Sequence, residues 1–238
     1  MTSIPLWLTD EQACGYLPGR MARSAAIFPG IALDTSLYAA LLPQGFRRSG
    51  DQVYRPHCQT CHACTPTRVL VHHFKPDRRQ KRCWQRNLRT QIIIKPARFD
   101  AEHFELYRRY QLARHDEAQN RVIGRDDYVE FLTSTWCDTW FVEFRIDDQL
   151  MAVAVVDVLD TALSAVYTFF DPLCDKPSPG VFAILWQIEK ARTLGLPHVY
   201  LGYWIEDCRK MAYKIQYQPL EGLIDSQWQP LPCHILNR

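Results

Sequence analysis

The 238-residue sequence contains no apolar run approaching the roughly 18–20 residues of a membrane helix. Its opening, Met-Thr-Ser-Ile-Pro-Leu-Trp, has no basic stretch leading into an apolar one. Both absences predict a protein with no membrane partner, working in the cytoplasm. Net charge is nearly absent as well: 28 Lys+Arg stand against 26 Asp+Glu, +2 overall, while 47% of residues are hydrophobic. That balance excludes intrinsic disorder, which needs few apolar residues and a strong net charge. There is no Gly-x-x-x-x-Gly-Lys loop to hold nucleotide phosphates, no internal repeat and no low-complexity tract. The length suits one large domain or two small ones, each with a hydrophobic core, and 12% aromatic residues supply large rings to fill it.

The small net charge hides an uneven distribution. Between Arg47 and Arg89 stand eleven lysines and arginines and two acids, a local charge of +9; the remaining 17 basic and 24 acidic residues leave −7 elsewhere. A segment of that kind is suited to a polyanionic or acidic partner. The nine cysteines are an odd number, and three of them crowd into Cys58, Cys61 and Cys64, which argues against a secreted disulfide framework.

The order of elements predicts an α+β protein: a small Cys-rich domain over residues 1–96, then a GNAT-like acyltransferase domain over 97–238. The first part holds short apolar stretches broken by Pro and Gly and closes on a β-branched strand at Gln91–Ile94. After Pro96 the spacing of Phe104, Tyr107 and Tyr110 predicts a helix capped by Asp100, and Asp126 and Asp127 are candidate caps for a second. Thr139–Ile146, Leu150–Leu159 and Ala162–Asp171 follow as three antiparallel strands, with Asp147-Asp148-Gln149 as a turn. A helix over Gly180–Arg192, a buried strand at His198–Trp204 and a helix over Asp207–Ile215 complete the order of a GNAT-type core. Where such a core would bind the pyrophosphate of acetyl-CoA, this chain has Ser178-Pro179-Gly180, so the acyl donor is not expected to be a CoA ester.

Three thiols at two-residue gaps can all reach one metal centre. The triple spacing is used by Fe–S clusters, whereas zinc sites more often use two separated Cys-x-x-Cys knuckles. The expectation is a site of Cys58, Cys61 and Cys64 holding an Fe–S cluster or zinc. Its fourth ligand comes from Cys14, His57, His62 or Cys83, with Cys14 favoured because it leads a Pro/Gly-punctuated segment. Cys83, Cys137, Cys174 and Cys233 stand alone and are expected to be packing residues. A thiol nucleophile is disfavoured, because no carboxylate lies near these histidines to orient a base. Further on, Pro76 and the cap candidate Asp77 start a helix carrying Arg78, Arg79, Lys81 and Arg82. Its basic face suits phosphates, or a carboxylate clamped through arginine forks.

Two long stretches carry a family resemblance. Tyr54-Arg55-Pro56-His57-Cys58-x-x-Cys61-x-Ala63-Cys64-x-Pro66-x-Arg68-Val69 is followed by Phe74-x-Pro76-x-Arg78-x-Gln80-x-Arg82 and Asn87. In the second half stand Val166-Tyr167-Thr168-Phe169-x-Asp171-Pro172, Ala183-Ile184-Leu185-Trp186-Gln187-Ile188-Glu189, Leu201-Gly202-Tyr203-Trp204-Ile205 and Cys208-x-Lys210-Met211-x-Tyr213-Lys214. Together they resemble the bacterial aspartate/glutamate leucyltransferases, kin of the eukaryotic arginyl-tRNA–protein transferases. Arg79 departs from the pattern where a serine is expected, and Ala212 where an asparagine is expected.

The resemblance implies transfer of leucine from leucyl-tRNA to the N-terminal amine of proteins starting with Asp or Glu, which creates a degradation signal. An aminoacyl ester is already activated, so no cofactor is required for the chemistry. The enzyme has to align ester and amine, ease deprotonation of an amine with a pKa of about 8, and stabilise the oxyanion. Tyr167, Asp171 and Tyr203, near the ends of central strands, are the candidates for hydrogen bonding and proton handling. Arg78, Arg79, Lys81, Arg82, Lys210 and Lys214 are the candidates for acceptor or tRNA binding. Glu189 reads as a helix-surface carboxylate, and His72 and His73 as ordinary strand residues. The alternatives are an arginyl donor and a non-catalytic metal-ribbon RNA-binding protein; the latter leaves Thr139–Ile215 without a use.

Overall fold

A computed structural model describes residues 4–114, 123–174 and 178–231; Cys233 falls outside them. In chain order the strands are β1 (Leu6–Leu8), β2 (Gln12–Ala13), β3 (Met21–Ala22), β4 (Ser24–Ile27), β5 (Arg47–Ser49), β6 (Gln52–Pro56), β7 (Thr65–Leu70) and β8 (Gln91–Pro96). They continue with β9 (Thr139–Ile146), β10 (Gln149–Leu159), β11 (Ala162–Phe170), β12 (His198–Trp204), β13 (Leu220–Ile224) and β14 (Gln227–Pro230). The helices are α1 (Thr35–Leu41), α2 (Arg78–Arg86), α3 (Ala101–Arg114), α4 (Arg125–Leu132), α5 (Pro179–Thr193) and α6 (Arg209–Ala212).

The fold is mixed α/β around one large sheet of order β14-β13-β7-β12-β11-β10-β9-β8. A four-stranded sheet, β1-β4-β6-β5, and the hairpin β2-β3 stand beside it. The meander β9-β10-β11 is antiparallel throughout. Its first turn works because Asp147 and Asp148 both take positive φ, 48° and 62°, the conformation of a tight hairpin turn that Asp tolerates better than most residues. Strand β10 is buried over most of its length, which explains its run of Val and Ala. On one face the core is filled by α5 and α2 through Phe144, Phe182, Trp186 and Trp84. On the other it is filled by α3 and α4 through Tyr107, Tyr128, Leu132 and Phe141.

Several sequence expectations need correction. Gly124, not Asp126 or Asp127, is the N-cap residue of α4; both aspartates lie in its first turn, where their charge favours the helix dipole, and Asp127 Oδ2 accepts from Gly124 N at 3.4 Å. The final helix is shorter than Asp207–Ile215: α6 gives way to a single 3₁₀ turn at Tyr213–Gln216. His72 and His73 are exposed in a 3₁₀ turn after β7 rather than in a strand. The expected boundary at Pro96 coincides with the end of β8, yet the large sheet takes strands from both sides of it. β7 runs between β12 and β13, and β8 forms the edge beside β9.

The small sheet is tied to the large one by a buried ion pair. Arg48 on β5 places Nη2 2.6 Å from Asp157 Oδ1 on β10, and both side chains are fully buried. Thr139 Oγ1 donates to the same carboxylate at 2.8 Å, and the guanidinium also donates to the carbonyls of Gly50, Leu132 and Thr133. Burial alone would lower the pKa of Arg48; the charge and hydrogen bonds of Asp157 outweigh it and raise it. This lock fixes the neighbouring residue, Arg47, against the large sheet.

Candidate functional site

Parallel strands β11 and β12 are paired only at their start, from Ala162 opposite His198 to Ser164 opposite Tyr200. Beyond that register each continues without pairing to the other, β11 to Phe170 and β12 to Trp204, which leaves a split between them. Gly202 takes φ +80° beside a shift in the register between β12 and β7. A side chain there would be strained, so the glycine is what lets β12 turn away.

On the side of the small sheet lies a cavity of about 350 Å³, lined by Cys14, Tyr16, Tyr54, Cys58, Cys61, Cys64, Tyr203 and Ile205 among others. The hairpin β2-β3 carries Cys14 and Tyr16 over it. Burial first, then the neighbouring Tyr54 and Cys64, push the Tyr16 hydroxyl up to about 12. Tyr16 is also close enough to Tyr167 on β11 to act on its titration, so the cavity and the split are adjacent.

The four cysteines expected as a metal site line this one cavity. The Cys64 thiol is pushed up to about 12 by burial, then by the like charge of Cys58, Cys14 and Cys61 as thiolates; Cys208 adds to the effect. A set of soft donors that oppose one another's ionisation suits a cation placed among them. No three of these sulfurs, however, lie within 4.8 Å of one another. Among the described residues, the groups whose ligand atoms draw within 4.8 Å of one another as a trio are Asp100, His103 and Glu143. Glu143 already has two cations, accepting from Lys95 at 2.5 Å and Arg145 at 2.7 Å, and it accepts from His103 at 2.6 Å. Its carboxylate is held down at about 2 despite burial, through hydrogen bonds from Arg145, Lys95 and His103.

Arg47 escaped the sequence reading, which counted it only in the basic run. It is 7% exposed, and its Nη2 donates to Ala165 O at 2.5 Å, the first carbonyl of β11 past the paired register. Nη1 is buried and has no hydrogen-bond partner among the described residues; the Tyr38 hydroxyl, with Ser164 beside it, lies nearby. Its guanidinium lies across Gly202: a Cβ there would meet Nε at 3.8 Å and Nη2 at 3.9 Å. Cys208, named in the family motif but given no role there, lies close enough to Cys64, Tyr16 and Lys214 to act on them electrostatically.

The expected catalytic trio divides. Tyr167 accepts from Gln111 Nε2 at 3.2 Å, and Tyr203 donates to Gly45 O at 3.0 Å; burial raises both pKa values far above the ordinary tyrosine range, so both serve as hydroxyls and not as bases. Asp171 closes the end of β11. Its Oδ1 accepts from Leu173 N at 3.0 Å and its Oδ2 from Arg109 at 3.1 Å, a turn-forming arrangement outside the cavity lining.

Helix α2 forms as expected, with a reciprocal cap between Asp77 and Gln80. Arg78, Arg79, Lys81 and Arg82 are all exposed while Gln80 and Cys83 are buried, so the helix turns its cations outward. Beside it a groove of about 360 Å³ runs between α2 and α5, lined by Trp84, Lys81, Glu189 and Arg192. Lys210 is exposed on α6. Lys214 is not: it is 4% exposed, and its Nζ donates to Tyr203 O at 2.8 Å. Burial, then the charge of Arg47, lowers its pKa to about 7. A side chain so placed reaches the floor of the split and no surface-lying phosphate.

Two family models match. The one described as "Arginine-tRNA-protein transferase, C terminus" covers residues 102–224, and the corresponding N-terminus model covers residues 12–82. Among curated proteins, an "Aspartate/glutamate leucyltransferase" of Thiobacillus denitrificans is 49% identical over 228 residues, 96% of this chain and 95% of that protein. Proteins of the same name from Chromobacterium violaceum and Pseudomonas fluorescens are each 46% identical. The first spans 98% of this chain and 96% of its own length, the second 96% and 97%. A solved structure of L-PGS from Bacillus licheniformis is 11% identical over 79% of this chain and 63% of that one, with a TM-score of 0.46.

Proposed function

The chain belongs to the aspartate/glutamate leucyltransferase family, and from that premise we infer that it moves leucine from leucyl-tRNA to the N-terminal amine of proteins beginning with Asp or Glu. It is an aminoacyltransferase. The observation that carries the reading is 46–49% identity to proteins of that name over 96–98% of the chain. In the reaction the amine nitrogen attacks the ester carbonyl and a nitrogen–carbon bond forms. The bond from carbon to the ribose oxygen of the tRNA breaks, and one amine proton ends on that oxygen. No phosphoanhydride is spent.

The split between β11 and β12 supports a GNAT-like reading of the core, in which the donor ester lies between the two strands. Tyr167 and Tyr203 flank it as hydroxyl groups that stay protonated at neutral pH. Tyr167, whose oxygen accepts from Gln111 Nε2, is suited to donate to a carbonyl or tetrahedral oxygen, whereas Tyr203 gives its proton to Gly45 O and shapes the wall; neither is suited to accept a proton. An acceptor amine with a pKa of about 8 is partly neutral already at physiological pH, and loss of water in the closed site favours the neutral form further. The outward cations of α2, with Lys210, suit the phosphates of the tRNA. Cys14, Cys58, Cys61 and Cys64 suit an Fe–S cluster or zinc, which would knit the hairpin β2-β3 to the loop before β7 and supply folding stability. Working in the cytoplasm and marking substrates for degradation are part of the same proposal; no helix among the described residues is long and apolar enough to cross a membrane.

The test is transfer by purified protein from leucyl-tRNA and from arginyl-tRNA to peptides starting with Asp, Glu, Lys or Arg. Leucylation of the two acidic peptides alone is the expected result. Arginine transfer, or leucylation of the basic peptides, would refute it.

A further inference from the structure

Arg47 and Arg48 are adjacent on β5, both are buried, and they are treated differently. Arg48 has Asp157, Thr139 and three backbone carbonyls as partners. Arg47 has one carbonyl, that of Ala165, and among the described residues no carboxylate pairs with it. A cation taken out of water without an anion is costly, and a sequence keeps one where something else brings the anion. The reaction brings one with each acceptor, the side-chain carboxylate of its first residue.

We propose that Arg47 is the residue that selects acidic N-termini, its guanidinium receiving the acceptor's Asp or Glu carboxylate at the floor of the split between β11 and β12. The assignment rests on the leucyltransferase reading. Three observations support it. Nη1 is buried and has no hydrogen-bond partner among the described residues. Gly202 stands against the guanidinium where any larger residue would cover it, and is itself partly exposed. Tyr54, the cross-strand neighbour of Arg47, and Tyr203 both line the cavity, so Arg47 stands directly behind its wall.

The exposed arginines of α2 cannot do this work as well. A cation in water is screened and hydrated, and it separates a carboxylate from an amide weakly. A buried guanidinium offers a fork of donors that an uncharged amide cannot satisfy. The position carries a second consequence. With the acceptor's carboxylate on Arg47, its α-amine sits a few bonds from a fixed positive charge, which disfavours the ammonium form and helps free the nucleophile.

The experiment compares matched peptides starting with Asp, Asn, Glu or Gln, with saturating leucyl-tRNA, for the wild type and Arg47→Gln. In the wild type the acidic peptides are preferred. In Arg47→Gln the Asp/Asn ratio of kcat/KM falls by roughly ten- to hundredfold, the range of a charge-assisted hydrogen bond. Most of the loss lies in KM for the acidic peptides, and the limb of the pH–rate profile that reports the acceptor amine moves to higher pH. A folded variant that keeps the ratio and the profile overturns the assignment. If Arg47→Gln does not fold, Arg47→Lys keeps the stem and charge but loses the fork. Its Asp/Asn ratio is to fall at least threefold, and an unchanged ratio overturns the proposal equally. A wild-type protein that leucylates neither acidic peptide refutes the family reading instead, whatever the variants do.

Discussion

Replacing Asp157 with Asn tests the ion pair on which the placement of β5 depends. The substitution keeps size and shape but leaves the fully buried guanidinium of Arg48 without its counter-charge, and it weakens the bond from Thr139. Removing one partner of a buried pair costs about 3–5 kcal/mol. For a chain of this length each kcal/mol lowers the melting temperature by about 2–4 °C, so the variant should melt roughly 6–20 °C below the wild type in a calorimetric or circular-dichroism scan. The companion variant, Arg48→Met with Asp157→Leu, removes both charges and the desolvation cost together. It should recover part of the loss but not all, because the carbonyls of Gly50, Leu132 and Thr133 lose their donor at about 1 kcal/mol each. A single variant within 2 °C of the wild type, or a double variant less stable than the single one, would refute this account of how the sheets are joined.

Three further outcomes follow from the geometry. Arg78→Gln with Arg82→Gln should leave melting nearly unchanged and reduce the slope of log affinity for tRNA against log salt by roughly 0.7–0.9 per lost phosphate contact; an unchanged slope would remove α2 from the RNA surface. Protein purified without oxygen should contain iron or zinc, and Cys61→Ser should lose the metal and melt at lower temperature; metal-free protein of full activity would leave the four thiols as packing residues. Lys214 has a folded pKa of about 7 against an ordinary value of 10.5. Between those pH values the unfolded chain holds a proton that the folded one has released, so stability rises with pH across that window. Lys214→Met should flatten the rise in unfolding titrations between pH 7 and 10, and an identical slope in both proteins would contradict the burial described.

The second half of the fold was legible because its signals are local. Thr139–Ile146 and His198–Trp204 appear with the expected bounds, since a turn at Asp147-Asp148 and a run of β-branched and aromatic residues need no distant partner to be read. The cap of α2 was legible for the same reason. What escaped was pairing over long separations. Nothing in Thr65–Leu70 announces that its neighbours are β12 and β13, and nothing in Arg47 tells it from Arg48 until Asp157 is seen beside only one of them. Lys214 misled because a lysine one turn from another reads as surface, while the shortened α6 and the 3₁₀ turn after it carry the residue inward. That Cys14, Cys58, Cys61 and Cys64 share one cavity with Tyr16 and Tyr54 emerged only from the placement of β2-β3 beside β6.

The interleaving of the large sheet also sets a timetable for the growing chain. Strand β7 leaves the ribosome about 130 residues before β12 and about 150 before β13, the two strands that flank it. During that interval, at roughly 5–20 residues per second, its backbone edges stay unpaired for several seconds or more. The amino-terminal half therefore emerges with a central strand it cannot complete. A nascent chain stopped before Leu220 still lacks one flank of that strand, so truncations at the carboxyl end should be caught by chaperones and proteases more readily than truncations that spare β13. The large sheet first becomes whole when β13 and β14 are both free to pair.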